Sequence, residues 1–220
     1  MTNLHNFIEH TLLKATATTA DTITLCDEAK QYDFFGVCVN SCYVYLAVNE
    51  LKDHRTKVIA TVGFPLGASS TKTKIAEAKQ AVKDGADEID MVMNLGFFKS
   101  GITKSVTEEI RAIKKAIGRR VLKVIIETCY LNAAEMKLAC EMVRLAGADF
   151  VKTSTGFGNN GALLKDVQLL KSIANEDVGI KASGGIKTAK QAIAFIDAGA
   201  TRIGSSNGVA MVYEPENHKE

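Results

Sequence analysis

Two hydrophobic rhythms alternate along the chain. Short apolar runs in which side chains alternate in character fall at Phe7–Leu12, Phe35–Val39, Lys57–Val62, Glu88–Met93, Val121–Glu127, Asp149–Thr153, Gly179–Ala182 and Arg202–Gly204, and each reads as a strand. Between them lie stretches of about 10 to 16 residues with helical spacing. Lys74, Ile75, Ala78, Ala81 and Val82 form one such stripe, and Ala134, Leu138, Cys140, Met142 and Val143 another. Three segments nearly repeat: Asp84-Gly85-Ala86-Asp87, Ala146-Gly147-Ala148-Asp149 and Ala198-Gly199-Ala200-Thr201. Each follows a helical stripe and precedes a strand, which puts its glycine in the left-handed position that ends a helix.

Strictly alternating strand and helix predicts a parallel sheet, because parallel neighbours need a crossover. Eight such units in 220 residues predict an α/β fold, a single (β/α)8 TIM barrel spanning residues 1–220. An open doubly wound sheet is the competing arrangement. It would carry a glycine-rich loop after the first strand, and His10-Thr11-Leu12-Leu13-Lys14 contains no glycine.

Parallel strands covered on both faces are normally continuous Val, Ile and Leu, yet several here are interrupted by charge. Glu88 and Asp90 share a face opposite Ile89 and Met91, and Lys123 and Glu127 share one opposite Val124 and Ile126. Lys152 is opposed to Val151, and Lys181 to Ile180. If the aliphatic residues meet the helices, the charges point into the barrel, where they are costly unless paired. A plain ion-pair plug would account for any one of these lysines.

Two similar strands, Val151-Lys152-Thr153-Ser154 and Ile180-Lys181-Ala182-Ser183, go further. They place two ammonium groups on adjacent strands near the C-terminal face, where barrel enzymes keep their active sites. Charges ~4 Å apart at an effective dielectric of ~20 repel by about 4 kcal/mol, enough to lower one lysine by up to about 3 pK units and free an amine for nucleophilic attack. Asp90 supplies a carboxylate able to carry protons.

After Lys181 comes Ser183-Gly184-Gly185-Ile186, and after the eighth strand Gly204-Ser205-Ser206-Asn207-Gly208. Both segments read as helix openings, and these two loops are the usual phosphate site of barrel enzymes. Thr153-Ser154-Thr155-Gly156 is placed to contribute.

Composition narrows the function further. Twenty-seven basic and 25 acidic residues are spread along the chain, a net charge of +2, which offers no field for nucleic acid. Five cysteines without a Cys-x-x-Cys pair suggest neither a disulfide framework nor zinc, and point to a reducing, cytoplasmic setting. No run approaches the ~18 apolar residues of a membrane span. His5, His10, His54 and His218 are scattered, so no metal is expected. The run Lys114, Lys115, Arg119, Arg120 reads as a solvated helix end.

The segment Phe150-Val151-Lys152-Thr153-Ser154-Thr155-Gly156-Phe157 resembles the Schiff-base segment of the deoxyribose-phosphate aldolases. Glu9-His10-Thr11-Leu12-Leu13, Glu88-Ile89-Asp90-Met91-Val92, Leu122-Lys123-Val124-Ile125-Ile126-Glu127-Thr128 and Ile180-Lys181-Ala182-Ser183-Gly184-Gly185-Ile186 are similar to that family's segments in the same order, over nearly the whole chain. The resemblance implies that Lys152 forms the imine, Lys181 tunes it and Asp90 joins a proton relay. It also implies that Gly156, Gly184, Gly185, Gly204 and Ser206, with Ser205 beside them, hold the substrate phosphate. The implied reaction is reversible cleavage of 2-deoxyribose 5-phosphate to acetaldehyde and glyceraldehyde 3-phosphate. No cofactor is implied, the partners are phosphorylated sugars and aldehydes, and a homodimer is implied by the family's habit of pairing.

The chain departs from the family pattern at Glu9, where Asp is common, at Phe157, where some members have Lys, and at Asn207, where Ser is common. The tail from Glu214 to Glu220 lacks the terminal tyrosine of some relatives, and Tyr213 reads as a packing residue of the last helix. Another Schiff-base aldolase would share Lys152, and a catalytically silent phosphosugar-binding barrel would keep the glycines without needing Asp90 and both lysines. Cys38 and Cys42, near the end of the second strand, are candidates for contact with reactive aldehydes.

Overall fold

The computed structural model of the chain describes residues 3–174 and 176–213. Eight parallel strands, β1 (Ile8–Leu12), β2 (Gly36–Val39), β3 (Lys57–Val62), β4 (Glu88–Val92), β5 (Val121–Ile125), β6 (Phe150–Lys152), β7 (Gly179–Ser183) and β8 (Arg202–Ser205), close in chain order, β8 returning to pair with β1. Helices α1 (Thr19–Gln31), α2 (Val44–Glu50), α3 (Thr71–Lys83), α4 (Leu95–Lys99), α5 (Thr103–Ile117), α6 (Ala133–Leu145), α7 (Leu164–Ala174), α8 (Ala189–Asp197) and α9 (Gly208–Val212) occupy the connections. The expected barrel is the observed one, with strand ends within two residues of the sequence reading.

Local chemistry sets these boundaries. Thr18, Asn132 and Thr188 each close a reciprocal capping box at the start of α1, α6 and α8, and Ser70 caps α3 through the Thr73 amide. Gly85, Gly147 and Gly199 adopt positive φ where the three repeated segments turn from helix to strand. Two layers of core result. Ile89, Met91, Val124, Val151, Ile180 and Ile203 lie in the large cluster between strands and helices, while Cys38, Ile59 and Leu13 form a small apolar cluster of their own.

Three expectations change. β5 stops at Ile125, two residues short of Glu127. Tyr213 is 62% exposed, so it does not pack the last helix, and the tail 214–220 lies outside the described residues. The basic run is not simply solvated: the Lys114 ammonium reaches Asp149 at 2.6 Å and Arg120 donates to the Ala86 carbonyl at 2.8 Å, tying connections together at the N-terminal end of the barrel. Among the described residues no helix is long and apolar enough to cross a membrane.

Candidate active site

The strand register brings the inward charges together. Asp90 on β4 is the Cα partner of Lys123 on β5, and Lys152 on β6 is the partner of Lys181 on β7. Partners in a ladder point to the same face, so both lysines and Asp90 meet inside the barrel. Asp90 is the hub. Its Oδ1 accepts from Lys123 at 3.0 Å, and its Oδ2 accepts from both Lys152 at 2.8 Å and Lys181 at 2.6 Å. Lys181 also donates to Glu9, and Lys123 reaches Glu88 at 2.5 Å and Glu9 at 3.4 Å. Arg202 lies 3.6 Å over the Phe35 ring and 3.8 Å from Glu9, adding a cation beside the layer.

This arrangement alters the simple picture of two repelling lysines. Two ammonium groups on one oxygen stand roughly 5 Å apart and repel by about 3 kcal/mol at an effective dielectric of ~20, but the shared carboxylate lies against both. Burial opposes the charge on Asp90, yet Lys123, Lys152 and Lys181 outweigh it and hold the carboxyl well below the usual range. Burial likewise opposes the charge on Lys181, and Asp90 and Glu9 outweigh it, so Lys181 is pushed above the ordinary lysine value. Lys123 is raised against burial in the same way by Asp90 and Glu9. Lys181 is therefore a fixed cation and Asp90 a fixed anion at neutral pH.

Counter-charge is unevenly shared among the three lysines. Among the described residues Lys123 meets three carboxylates and Lys181 two, while Lys152 meets only Asp90. Lys152 is also the one of the three that lines the main pocket, a cleft of about 530 Å³ at the C-terminal face. Gly204 makes room for this layer. A Cβ there would stand 3.0 Å from Lys181 Cε and 3.0 Å from Ser183 Cβ, so the glycine serves the second lysine as well as the pocket wall.

The other predicted residues surround the same cleft. Gly156, Gly184, Gly185, Gly204, Ser205 and Ser206 all line it. Gly156 and Gly185 have φ of +87° and +78° with open space where a Cβ would project, which lets the backbone approach a ligand closely. The Gly184–Gly185 turn does not open a helix directly, because α8 starts only at its own Thr188 cap. The Ser205 hydroxyl is already committed: it donates to the Ile186 carbonyl at 2.6 Å and accepts from the Asn207 amide at 3.0 Å, fastening the two loops together. Ser206 is exposed at the cleft.

Glu127 stands apart from the other inward charges. Its side chain is buried but leaves the ionic layer and accepts from Thr155 on the next loop. Cys38 is buried, its thiol pushed up mainly by burial, and lies 3.9 Å from Asp90 Oδ2, whereas Cys42 is exposed, and neither belongs to the cleft lining. Sequence reasoning did not assign Glu9 to the layer. The local signal was weak, since Ile8-Glu9-His10-Thr11-Leu12 is polar at three of its five positions and Glu9 does not stand out there as a charge in an apolar run. His10, paired with Glu28 at 2.7 Å, and Lys14 and Lys187 also line the cleft, and nothing in their spacing set them apart.

The family model described as DeoC/LacD family aldolase matches residues 7–212. The chain is 54% identical over 212 residues to a deoxyribose-phosphate aldolase of Aciduliprofundum boonei, covering 95% of each chain. It is 52% identical over 210 residues to one of Coprothermobacter proteolyticus, covering 96% of each. Among solved structures it is similar to the deoxyribose phosphate aldolase of Aeropyrum pernix, described as a unique tetramer, with a TM-score of 0.87, 32% identity and coverage of 94% of this chain and 88% of that one.

Proposed function

The chain belongs to the DeoC/LacD aldolase family, and from that premise we propose that it cleaves 2-deoxyribose 5-phosphate reversibly to acetaldehyde and glyceraldehyde 3-phosphate through an imine on Lys152. The observation that carries the assignment of the nucleophile is that Lys152, alone of the three lysines around Asp90, lines the cleft and, among the described residues, has a single carboxylate partner.

The chemistry follows from the arrangement. Lys152 Nζ attacks the aldehyde carbon of the open-chain sugar, and loss of water leaves the imine. Removal of the C3 hydroxyl proton lets the C2–C3 bonding pair flow into the imine, releasing glyceraldehyde 3-phosphate and an enamine. Protonation of the enamine at C2 and hydrolysis free acetaldehyde and regenerate the amine. Asp90 aligns the Lys152 and Lys181 amines on one oxygen, which sets the Lys181 charge directly beside the nucleophile. A carboxyl held so low stores a proton poorly, so Asp90 serves proton transfer between the lysines or an intervening water as a transient acceptor. The substrate phosphate is placed against Gly156, Gly184, Gly185, Gly204 and Ser206, with Ser205 bracing the loops from behind.

A cytoplasmic setting agrees with five free cysteines, and a homodimer is the proposed assembly, to be checked by light scattering. The decisive test of the chemistry is borohydride reduction in the presence of acetaldehyde, followed by peptide mass mapping, with and without EDTA. A two-carbon adduct on Lys152, indifferent to chelator, is expected. An adduct on another residue, or its loss with EDTA, overturns the proposal.

A further inference from the structure

We infer that Glu127 is a positioning residue that fixes the phosphate-facing turn after β6, an inference that rests on reading the cleft as the site of a phosphorylated sugar. Strand β5 ends at Ile125, but its pairing to the next strand continues in altered form. The Ile126 amide donates to the Lys152 carbonyl at 3.0 Å, and the Thr128 amide to the Thr153 carbonyl at 2.9 Å. Two steps along one chain thus match one step along the other, and Glu127 is the extra residue. It absorbs the mismatch in the left-handed region, at φ 51° and ψ 69°, where an L side chain is strained. Strain at a non-glycine residue beside a reactive lysine persists only where the surroundings hold it.

The irregularity re-aims the carboxylate. Instead of continuing the inward file of Lys123 and Ile125, Glu127 turns to the β6–α7 loop. There its two oxygens accept the Thr155 amide at 3.1 and 3.2 Å, and Oε2 also accepts the Thr155 hydroxyl. The Thr155 hydroxyl oxygen in turn accepts the Phe157 amide at 3.0 Å, so the turn Thr155-Gly156-Phe157 is closed on both sides of Gly156. Gly158 follows because space is lacking: a Cβ there would stand 2.7 Å from Cys129 Sγ and 3.3 Å from Glu127 Cδ. Charge-assisted bonds from a buried carboxylate are the strong kind, and this one presents the left-handed Gly156 to the cleft. Glu127 itself is not among the cleft-lining residues, so it acts through Thr155.

The test compares Glu127→Ala, Glu127→Gln and Thr155→Ala on 2-deoxyribose 5-phosphate and on unphosphorylated 2-deoxyribose, with inorganic phosphate as competitor. Glu127→Ala raises KM for the phosphorylated sugar about tenfold, weakens phosphate inhibition to match, and reduces kcat/KM on the unphosphorylated sugar much less. Glu127→Gln keeps an acceptor for the Thr155 amide and recovers most of the loss, and Thr155→Ala shows the same bias at smaller size. Equal losses on both sugars, or an unchanged KM and phosphate inhibition, overturn the inference. Should Glu127→Ala not fold, Thr155→Ala decides alone by the same criteria. Acetaldehyde trapping on wild-type Lys152 runs in parallel; its failure removes the imine mechanism, while phosphate inhibition still reports on the turn.

Discussion

Replacing Asp90 by Asn removes the anion that Lys123, Lys152 and Lys181 share and changes little in volume. Asp90, Lys123 and Lys181 are wholly buried and Lys152 nearly so, so solvent cannot compensate. After the substitution Lys123 keeps Glu88 and Glu9 and Lys181 keeps Glu9, but Lys152 keeps no carboxylate among the described residues. Breaking a buried pair by removing one partner costs about 3–5 kcal/mol. At about 2–4 °C per kcal/mol for a chain of this size, Tm falls by roughly 10 °C. Urea unfolding at pH 7.5 measures the loss as a lower midpoint at unchanged slope.

A second substitution isolates the cause. Asp90→Asn combined with Lys152→Met removes the cation left unpartnered, and the double variant should regain about 1–2 kcal/mol over Asp90→Asn. The pH dependence has a definite sign. The Asp90 carboxyl is depressed in the folded state, so its contribution is complete above the unfolded value of about 3.9 and is lost as pH falls through the lower folded value. The gap between wild type and Asp90→Asn is therefore flat upward from about pH 5 and closes only in acid. A gap under about 1 kcal/mol at neutral pH, or a double variant no more stable than the single one, refutes the reasoning.

Three other outcomes follow from the same geometry. Lys123 and Lys181 are raised above the unfolded lysine value of about 10.4, so their contribution is complete below that pH and is lost only as pH rises through the folded values; denaturant midpoints should hold to about pH 10. Ser205→Ala breaks the bond to the Ile186 carbonyl and should cost about 1 kcal/mol of stability, with KM for the phosphorylated substrate rising several-fold and kcat nearly constant. Gly185→Ala meets no neighbour but forces an alanine to φ +78°, at a cost of about 1–2 kcal/mol by urea unfolding, with weakened phosphate inhibition.

The barrel was legible because its signals are local. Periodicity marks the strands, and the three repeated glycine turns mark the joints. The inward placement of Asp90, Lys152 and Lys181 was legible because a charge in an otherwise apolar strand contradicts the rule for parallel sheets. What escaped was set by register and by neighbours distant in sequence. Glu9 meets Lys181 across 172 positions, and no local pattern shows that contact. Glu127 obeyed the alternation on paper, but the chain adds a residue at the end of β5 and its carboxylate turns to the β6–α7 loop. The hydroxyl of Ser205 could be seen to lie near the cleft, though not that another loop had already claimed it.

The ionic layer and the cleft wall come from different parts of the chain. The layer is built by side chains of strands β1, β4, β5, β6, β7 and β8, whereas the wall is mostly loop backbone and short polar groups beyond the strand ends. On the proposed roles of these residues, substrate choice is thereby separable from reactivity. Exchanging the loop segments around Gly156, Gly185 and Ser206 offers a route to aldehydes lacking a phosphate while leaving the amine and its neighbours as they are, and such libraries would sample preference without resampling the chemistry.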